Sequence, residues 1–82
     1  MTPKRLLVVG HTPSVNTRRL FDAVVEGASS IEIENVEVVA YRPFDAQPAN
    51  VQAAQAVILG TTENLGYMSG ALKDFFDRIY YP

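Results

Sequence analysis

The sequence contains no cysteine, a single histidine and no long apolar run. Without cysteine, the protein has no disulfide, no thiolate nucleophile and no cysteine-ligated metal. The apolar runs are far shorter than a membrane-spanning helix requires, so we expect no membrane partner. The N-terminal residues also lack the apolar stretch of a secretory signal peptide, which predicts a cytoplasmic location.

Positive charge is also scarce. The chain of 82 residues has seven lysines and arginines, which are scattered, against nine aspartates and glutamates. A nucleic-acid-binding domain needs clustered basic residues, so we expect no nucleic-acid partner. The length fits one small domain with a modest core, and a hydrophobic fraction of 48% is ordinary for a globular protein.

Three segments have the composition of β-strands. Residues 5–10 and 56–60 are continuous apolar runs, which are typical of strands buried on both faces within a parallel sheet. The segment Val36–Tyr41 ends a stretch in which apolar and acidic residues alternate. Alternation leaves one face of a strand in water, so this second strand suits the edge of the sheet.

The segments between and after the strands are predicted to be helical. Helices are expected over residues 16–29, over residues 48–55 with Pro48 at the first helical position, and over residues 70–80 with Ser69 as the N-cap. Helical spacing predicts two core-facing stripes. Their members are Leu20, Phe21, Val24, Val25 and Ala28 in the first helix, and Leu72, Phe75, Phe76, Ile79 and Tyr80 in the last.

Alternation of strands and helices predicts an α/β fold with a parallel sheet and right-handed crossovers. With the edge-like strand second in the chain, the expected spatial order of the strands is 2-1-3. This order places the loops after the first and third strands side by side at the carboxyl edge. Ligands of open α/β sheets bind at that position, where the winding of the chain reverses.

The first of these loops is polar and leads into a helix. Thr12, Ser14 and Thr17 carry hydroxyls, and Asn16 carries an amide. The first N–H groups of a helix lack intrahelical partners and attract anions, so the loop fits an anion site. The same residue types also cap helices, so the loop by itself leaves the two interpretations open.

The second loop follows the third strand and reads Gly-Thr-Thr-Glu-Asn-Leu-Gly-Tyr-Met-Ser-Gly over residues 60–70, continuing into Lys73, Phe75, Asp77 and Arg78. This run is similar to the pattern Gly-x-Pro-x-x-x-Gly-x-Met-Ser-Gly-x-x-Lys-x-Phe-x-Asp-Arg of flavodoxin-like FMN reductases and NAD(P)H:quinone oxidoreductases. Residues 12–17 resemble the flavodoxin phosphate loop, Ser/Thr-x-Thr/Ser-Gly-Asn-Thr. Together the two motifs identify a flavodoxin-like family.

The resemblance implies a flavodoxin-like three-layer sandwich with FMN as cofactor. Residues 1–82 would form a single, incomplete domain, since the remaining strands of the family fold are absent from this chain. The phosphate of FMN would be bound by Thr12, Ser14, Val15, Asn16 and Thr17. The isoalloxazine ring would be wrapped by Thr61, Thr62, Glu63, Asn64, Leu65, Gly66, Tyr67 and Met68, with Tyr67 or Leu65 against its flat faces.

The sequence departs from the family pattern in three respects. Val15 stands where the family has glycine, which would strain the turn if it needs a positive φ. Thr62 and Glu63 replace Pro-Thr and place a carboxylate near the ring, which disfavours a reduced, anionic flavin. The chain also stops after the third helix, whereas the family fold continues with two more strands. The third strand would then be left with an apolar open edge, which predicts either a fragment of a longer chain or a homo-oligomer.

The function implied by the resemblance is an oxidoreductase that passes electrons from NAD(P)H to a quinone or another small-molecule acceptor. The alternatives are a flavodoxin-type electron carrier without substrate turnover and a flavin-free structural domain. FMN carries the chemistry in such proteins, so no catalytic side chain is assigned. His11, at the mouth of the expected site, is interpreted as structural or solvated, and no metal-binding spacing is present.

Overall fold

The computed structural model describes residues 3–80 of the chain. The elements are β1 (Lys4–Gly10), α1 (Val15–Ala28), β2 (Val36–Tyr41), α2 (Pro48–Gln52), β3 (Ala56–Gly60) and α3 (Gly70–Ile79). The bounds of β2 and β3 agree with the prediction. The prediction for α2 was three residues too long, because its helix ends at Gln52 and Ala53 already serves as the C-cap.

The sheet has β1 in the centre, parallel to β2 on one side and to β3 on the other. The predicted order 2-1-3 is therefore confirmed. In this register Val8 lies opposite Ala40 of β2 and opposite Ile58 of β3. Successive side chains of a strand point to opposite faces, so Leu7 and Val9 face one helical layer and Val8 faces the other.

The core lies between the sheet and the helices α2 and α3. Its buried members are Leu7, Val9, Ala46, Leu72 and Phe75. Phe76 and Ile79 pack against this cluster while remaining partly exposed, as does Val51 of α2. The prediction that Tyr80 belongs to the core was wrong, because it follows the last turn of α3 and is 74% exposed.

Arg78 ties α3 to the loop between β2 and α2. Its guanidinium donates to the carbonyl of Ala46 over 2.7 Å and to the carbonyl of Pro43, and its Nε pairs with Asp74 at 2.7 Å. Pro43 and Ala46 are both buried. The fork of donors thus satisfies carbonyls that the core would otherwise leave unpaired.

The opposite face of the sheet is covered less completely by α1. None of the α1 residues is buried, and Leu20 is 68% exposed. The prediction that the apolar stripe of α1 would be buried in the core was therefore wrong. A groove of about 190 Å³ runs between α1 and the strands, lined by apolar side chains that include Val8, Leu20, Val24 and Ile58. The apolar stripe of α1 faces the sheet, but within residues 3–80 no second helix packs next to α1 on this face.

The prediction that β3 is buried on both faces was also wrong. Every residue of β3 is exposed, and Val57, Ile58 and Leu59 each keep about 40% of their surface in contact with solvent. In residues 3–80, β3 is an edge strand, and its outer side carries no neighbour. No helix in this part of the chain is long and apolar enough to cross a membrane.

Candidate functional site

The loops after β1 and β3 begin side by side. The N–H of His11 donates to the carbonyl of Gly60 over 3.1 Å, directly beyond the pairing of Gly10 with Gly60. Gly10 also lies against the ring of Phe21, and a Cβ at this position would approach a ring carbon to 2.2 Å. The absence of a Cβ at Gly10 therefore leaves room for the Phe21 ring of α1 against the end of β1. The hydrogen bond from His11 to Gly60 brings the two predicted binding loops together, as expected.

The first loop ends in a capping box. The Oγ of Ser14 accepts the N–H of Thr17 at 3.2 Å, and the Oγ1 of Thr17 accepts the N–H of Ser14 at 3.0 Å. The first intrahelical bond is the one from the N–H of Arg18 to the carbonyl of Ser14. The N–H groups of Val15 and Asn16 precede it and are left for an external acceptor. The loop is thus a helix cap with two backbone donors that have no acceptor among residues 3–80.

Val15 occupies the first helical position without strain. The non-glycine residues of positive φ in the described chain are Asn35 and Leu65, and Val15 is not among them. The turn therefore does not need a glycine here. Because the Val15 side chain points into solvent and is largely exposed, the departure from the family pattern costs nothing in this structure.

The second loop is closed at its base by Thr61. Its hydroxyl accepts the N–H of Ser69 at 2.9 Å and donates to the carbonyl of Thr62 at 2.8 Å. Ser69 is fully buried, and its own hydroxyl caps α3 by accepting the N–H of Leu72 at 3.1 Å. The predicted capping role of Ser69 is confirmed. The role of Thr61 in closing the loop was not predicted.

Replacing Thr61 by valine is expected to lower the free energy of unfolding by about 2 kcal/mol, because the N–H of the buried Ser69 loses its acceptor. Thr61→Ser retains the hydroxyl and serves as the matched control. Urea denaturation of both variants measures the difference. Equal stability of the valine and serine variants would mean that the closing hydrogen bond contributes nothing.

The tip of the second loop is a tight hairpin. Asn64 and Tyr67 exchange two backbone hydrogen bonds of 2.7 and 3.0 Å. Between them lie Leu65 with φ 53° and Gly66 with φ 79°, the two positive values that a type I′ turn requires. The Gly66 N–H donates to the carboxylate of Glu63 over 2.9 Å. The usual sequence of such a turn is Asn-Gly. Because this chain has Leu-Gly instead, the turn could not be predicted from the sequence.

Leu65 holds a left-handed conformation that costs a side chain with a Cβ about 1 kcal/mol. We expect Leu65→Asn to raise the free energy of unfolding by up to about 1 kcal/mol, because asparagine tolerates this conformation. Thermal unfolding measures the effect. Leu65→Ala removes the same exposed apolar surface but keeps the strain, so a stabilisation shared by the alanine variant would contradict the strain argument.

The charged residues of the matched motif stabilise α3 itself. Lys73 donates to Asp77 over 2.6 Å, and this hydrogen bond, followed by the charge of Asp77, raises the pKa of Lys73. Arg78 pairs with Asp74 one turn earlier. In α1, Arg18 pairs with Asp22 at 3.1 Å on an exposed surface. Lys73 and Arg18 thus form ion pairs on helix surfaces, whereas Arg78 also donates to the loop between β2 and α2. No metal-binding cluster occurs within the part of the chain that the structure describes.

Comparison with known proteins places the two loops in context. A protein named flavodoxin from Aquifex aeolicus (strain VF5) is 32% identical over 75 residues, which are 92% of this chain and 40% of the relative. The fold is flavodoxin-like. The chain spans well under half the length of that relative. No family model matches the sequence of this chain.

The flavodoxin-like fold brings both predicted groups of binding residues to one edge of the sheet. Thr12 is half-buried within the first loop, and Leu65 and Tyr67 are exposed at the tip of the second. Thr62 bonds to Asn64 at 3.3 Å within that loop. The contribution of each residue to ligand binding stays a prediction. His11 lies between the loops, and its Nδ1 is buried without a hydrogen-bond partner among residues 3–80.

Proposed function

We propose that this chain binds FMN at the paired loops and belongs to an oxidoreductase that passes electrons from NAD(P)H to a quinone or another small acceptor. The observation that carries the proposal is the hydrogen bond from His11 to Gly60, which joins the two loops whose sequences resemble the phosphate and ring loops of FMN reductases. The similarity to a protein named flavodoxin supports the FMN-binding part of this proposal.

The first loop has the donors that a phosphate monoester needs. The N–H groups of Val15 and Asn16, which have no acceptor within the described residues, lie at the positive end of α1. The hydroxyl of Thr12 and the amide of Asn16 are nearby in sequence. Neutral donors at a helix N-terminus can hold a dianion without a lysine. The hydroxyls of Ser14 and Thr17 maintain this geometry through the capping box while remaining within the loop.

The second loop suits the flat ring of the flavin. Leu65 is fully exposed and Tyr67 is 56% exposed, so both can cover an aromatic ring. Residues 61–67 also supply backbone groups for its polar edge. Glu63 adds a carboxylate, which the N–H of Gly66 holds in place. Bound FMN would supply the redox chemistry, and the side chains of this protein would bind it, orient it and set the surrounding charge.

An electron carrier without substrate turnover is the second candidate, and the name of the relative favours it. Carriers that dock by charge present a strongly charged surface to their partner. The net charge of −2 here is small for that task, which favours the enzyme. Oxidation of NAD(P)H by the FMN-loaded protein, measured with and without a quinone, separates the two candidates.

Titration of the purified protein into FMN tests the proposed function. We expect the flavin fluorescence to be quenched with a saturable dependence on protein concentration, because the ring becomes enclosed between the loop and the protein surface. Riboflavin, which lacks the phosphate, should bind more weakly. A protein that leaves FMN fluorescence unchanged at high concentration has no flavin site, and the flavin-free structural domain then becomes the better assignment.

A further inference from the structure

The outer edge of β3 combines free backbone groups with an apolar surface. Within residues 3–80, β3 pairs with β1 along one side and has no neighbour along the other. Val57, Ile58 and Leu59 each expose about 40% of their surface, although their side chains are large and apolar. The apolar groove beside α1 opens onto the same strand, since Ile58 and Leu59 also line it. An edge of this kind readily pairs with another strand.

The two edges of the sheet differ in charge. The strand at the opposite edge, β2, contains Glu37, and Glu32 and Glu34 precede it. Two copies that approached through β2 would bring these like charges together, which opposes pairing. Residues 46–62, which include β3, contain no charged residue. Self-association is therefore opposed at the edge formed by β2 and unopposed at the edge formed by β3.

We propose that the free edge of β3 binds β3 of a second copy of this chain, antiparallel to it. A two-fold axis perpendicular to the sheet brings the same strand of each copy to the interface and makes one continuous sheet. In the register that pairs the whole strand, Ile58 lies opposite its counterpart, and Val57 lies opposite Leu59 of the second copy. Each exposed side chain of the edge thereby gains an apolar neighbour.

This dimer extends the function of the chain beyond flavin binding, and its formation does not depend on FMN. It satisfies the open backbone groups of β3 by strand pairing, as a further strand of the sheet would. The strand order of the dimer is 2-1-3 in one copy, followed by 3-1-2 in the other. The acidic strand β2 then forms both outer edges, and the uncharged strand β3 lies in the centre.

Sedimentation equilibrium of the ligand-free chain tests the proposal. We expect a mass twice the 9.0 kDa of the single chain at high micromolar concentration. Ile58→Lys and Ile58→Glu should each be monomeric, because the introduced charge lies opposite its like. An equimolar mixture of the two variants should recover the dimer. Ile31→Lys is the matched control, since this isoleucine is 95% exposed outside the interface, and it should dimerise as the unmodified protein does.

Cysteine variants test the register with a smaller change, because the chain contains no cysteine of its own. We expect Ile58→Cys to form an intermolecular disulfide at least about tenfold faster than Ile31→Cys under mild oxidation, since directly opposed residues of antiparallel strands are within disulfide reach. These variants decide the question if the charged variants fail to fold.

Two results would overturn the inference. A monomeric or open-ended unmodified protein would leave the edge of β3 to another segment of polypeptide. A dimer in which substitutions at Ile58 behave as those at Ile31 would place the interface elsewhere.

Discussion

Replacing Ser14 by aspartate is expected to weaken FMN binding at least about a hundredfold while leaving the free energy of unfolding nearly unchanged. Aspartate is as good an N-cap as serine, so the bond to the Thr17 N–H persists and α1 keeps its start. The new carboxylate stands where the phosphate is expected. At about 4 Å and an effective dielectric constant of about 20, each pair of like charges costs about 4 kcal/mol.

Two controls make this result specific for the anion site. Ser14→Asn preserves a neutral cap and should retain most of the FMN affinity. Riboflavin has no phosphate, so the aspartate variant should bind it as the unmodified protein does. Isothermal titration calorimetry with both ligands gives the affinities, and thermal unfolding gives the stability. An aspartate variant that binds FMN with unchanged affinity would reduce the first loop to a helix cap.

Replacing Phe75 by alanine is expected to lower the free energy of unfolding by about 3–5 kcal/mol. Phe75 is 1% exposed and lies in the cluster with Leu7, Val9 and Leu72, so its removal leaves a cavity that the sheet cannot close. Small domains have only about 5–15 kcal/mol of stability in total. Circular dichroism should therefore show a large loss of cooperative structure at 37 °C.

Phe44→Ala is the matched control, because this phenylalanine is 65% exposed in the loop after β2 and should change the stability by less than about 1 kcal/mol. Phe76 is the intermediate case. Its ring centroid lies 5.7 Å from that of Phe75, but it remains partly exposed. Equal losses at Phe75 and Phe44 would contradict the location of the core.

The strands were the most predictable part of the fold. Val36–Tyr41 and Ala56–Gly60 were bounded correctly, because turn-forming or polar residues flank each apolar run. The order of the strands followed from the same patterns, since only the second strand carries an acidic residue within it. The start of α1 was predicted one residue too late, at Asn16, because several residues of the loop before the helix are of types that cap helices, whereas the structure has Ser14 as the N-cap.

Burial was less predictable than secondary structure. Leu20 and Ile58 have the same apolar character as Leu72 and Leu7, yet the first pair is exposed and the second is buried. The difference arises because α2 and α3 both cover one face of the sheet, whereas α1 alone lies on the other. A sequence pattern records which side of an element is apolar, but it does not record what lies against that side.

Some features of the candidate site could likewise be predicted from the sequence, and others could not. The motif residues from Thr12 to Thr17 and from Thr61 to Met68 were predicted to meet, and the pairing of β1 with β3 places them together. The hairpin at Leu65 and Gly66 was not predicted, because leucine is a poor indicator of positive φ. Nor could spacing reveal that the hydroxyl of Thr61 closes the loop onto Ser69, eight residues later.

The sequence itself therefore determined the strand and helix positions and the cap at Ser69, which follow from interactions between near neighbours and from the period of apolar residues. It also predicted the parallel order of the sheet, because the acidic residue within the second strand indicates a strand at the edge. The tertiary structure decided which apolar faces are covered, how the second loop is closed and that Nδ1 of His11 has no partner in residues 3–80. Such properties depend on groups far apart in the chain, whose distances only the folded molecule sets.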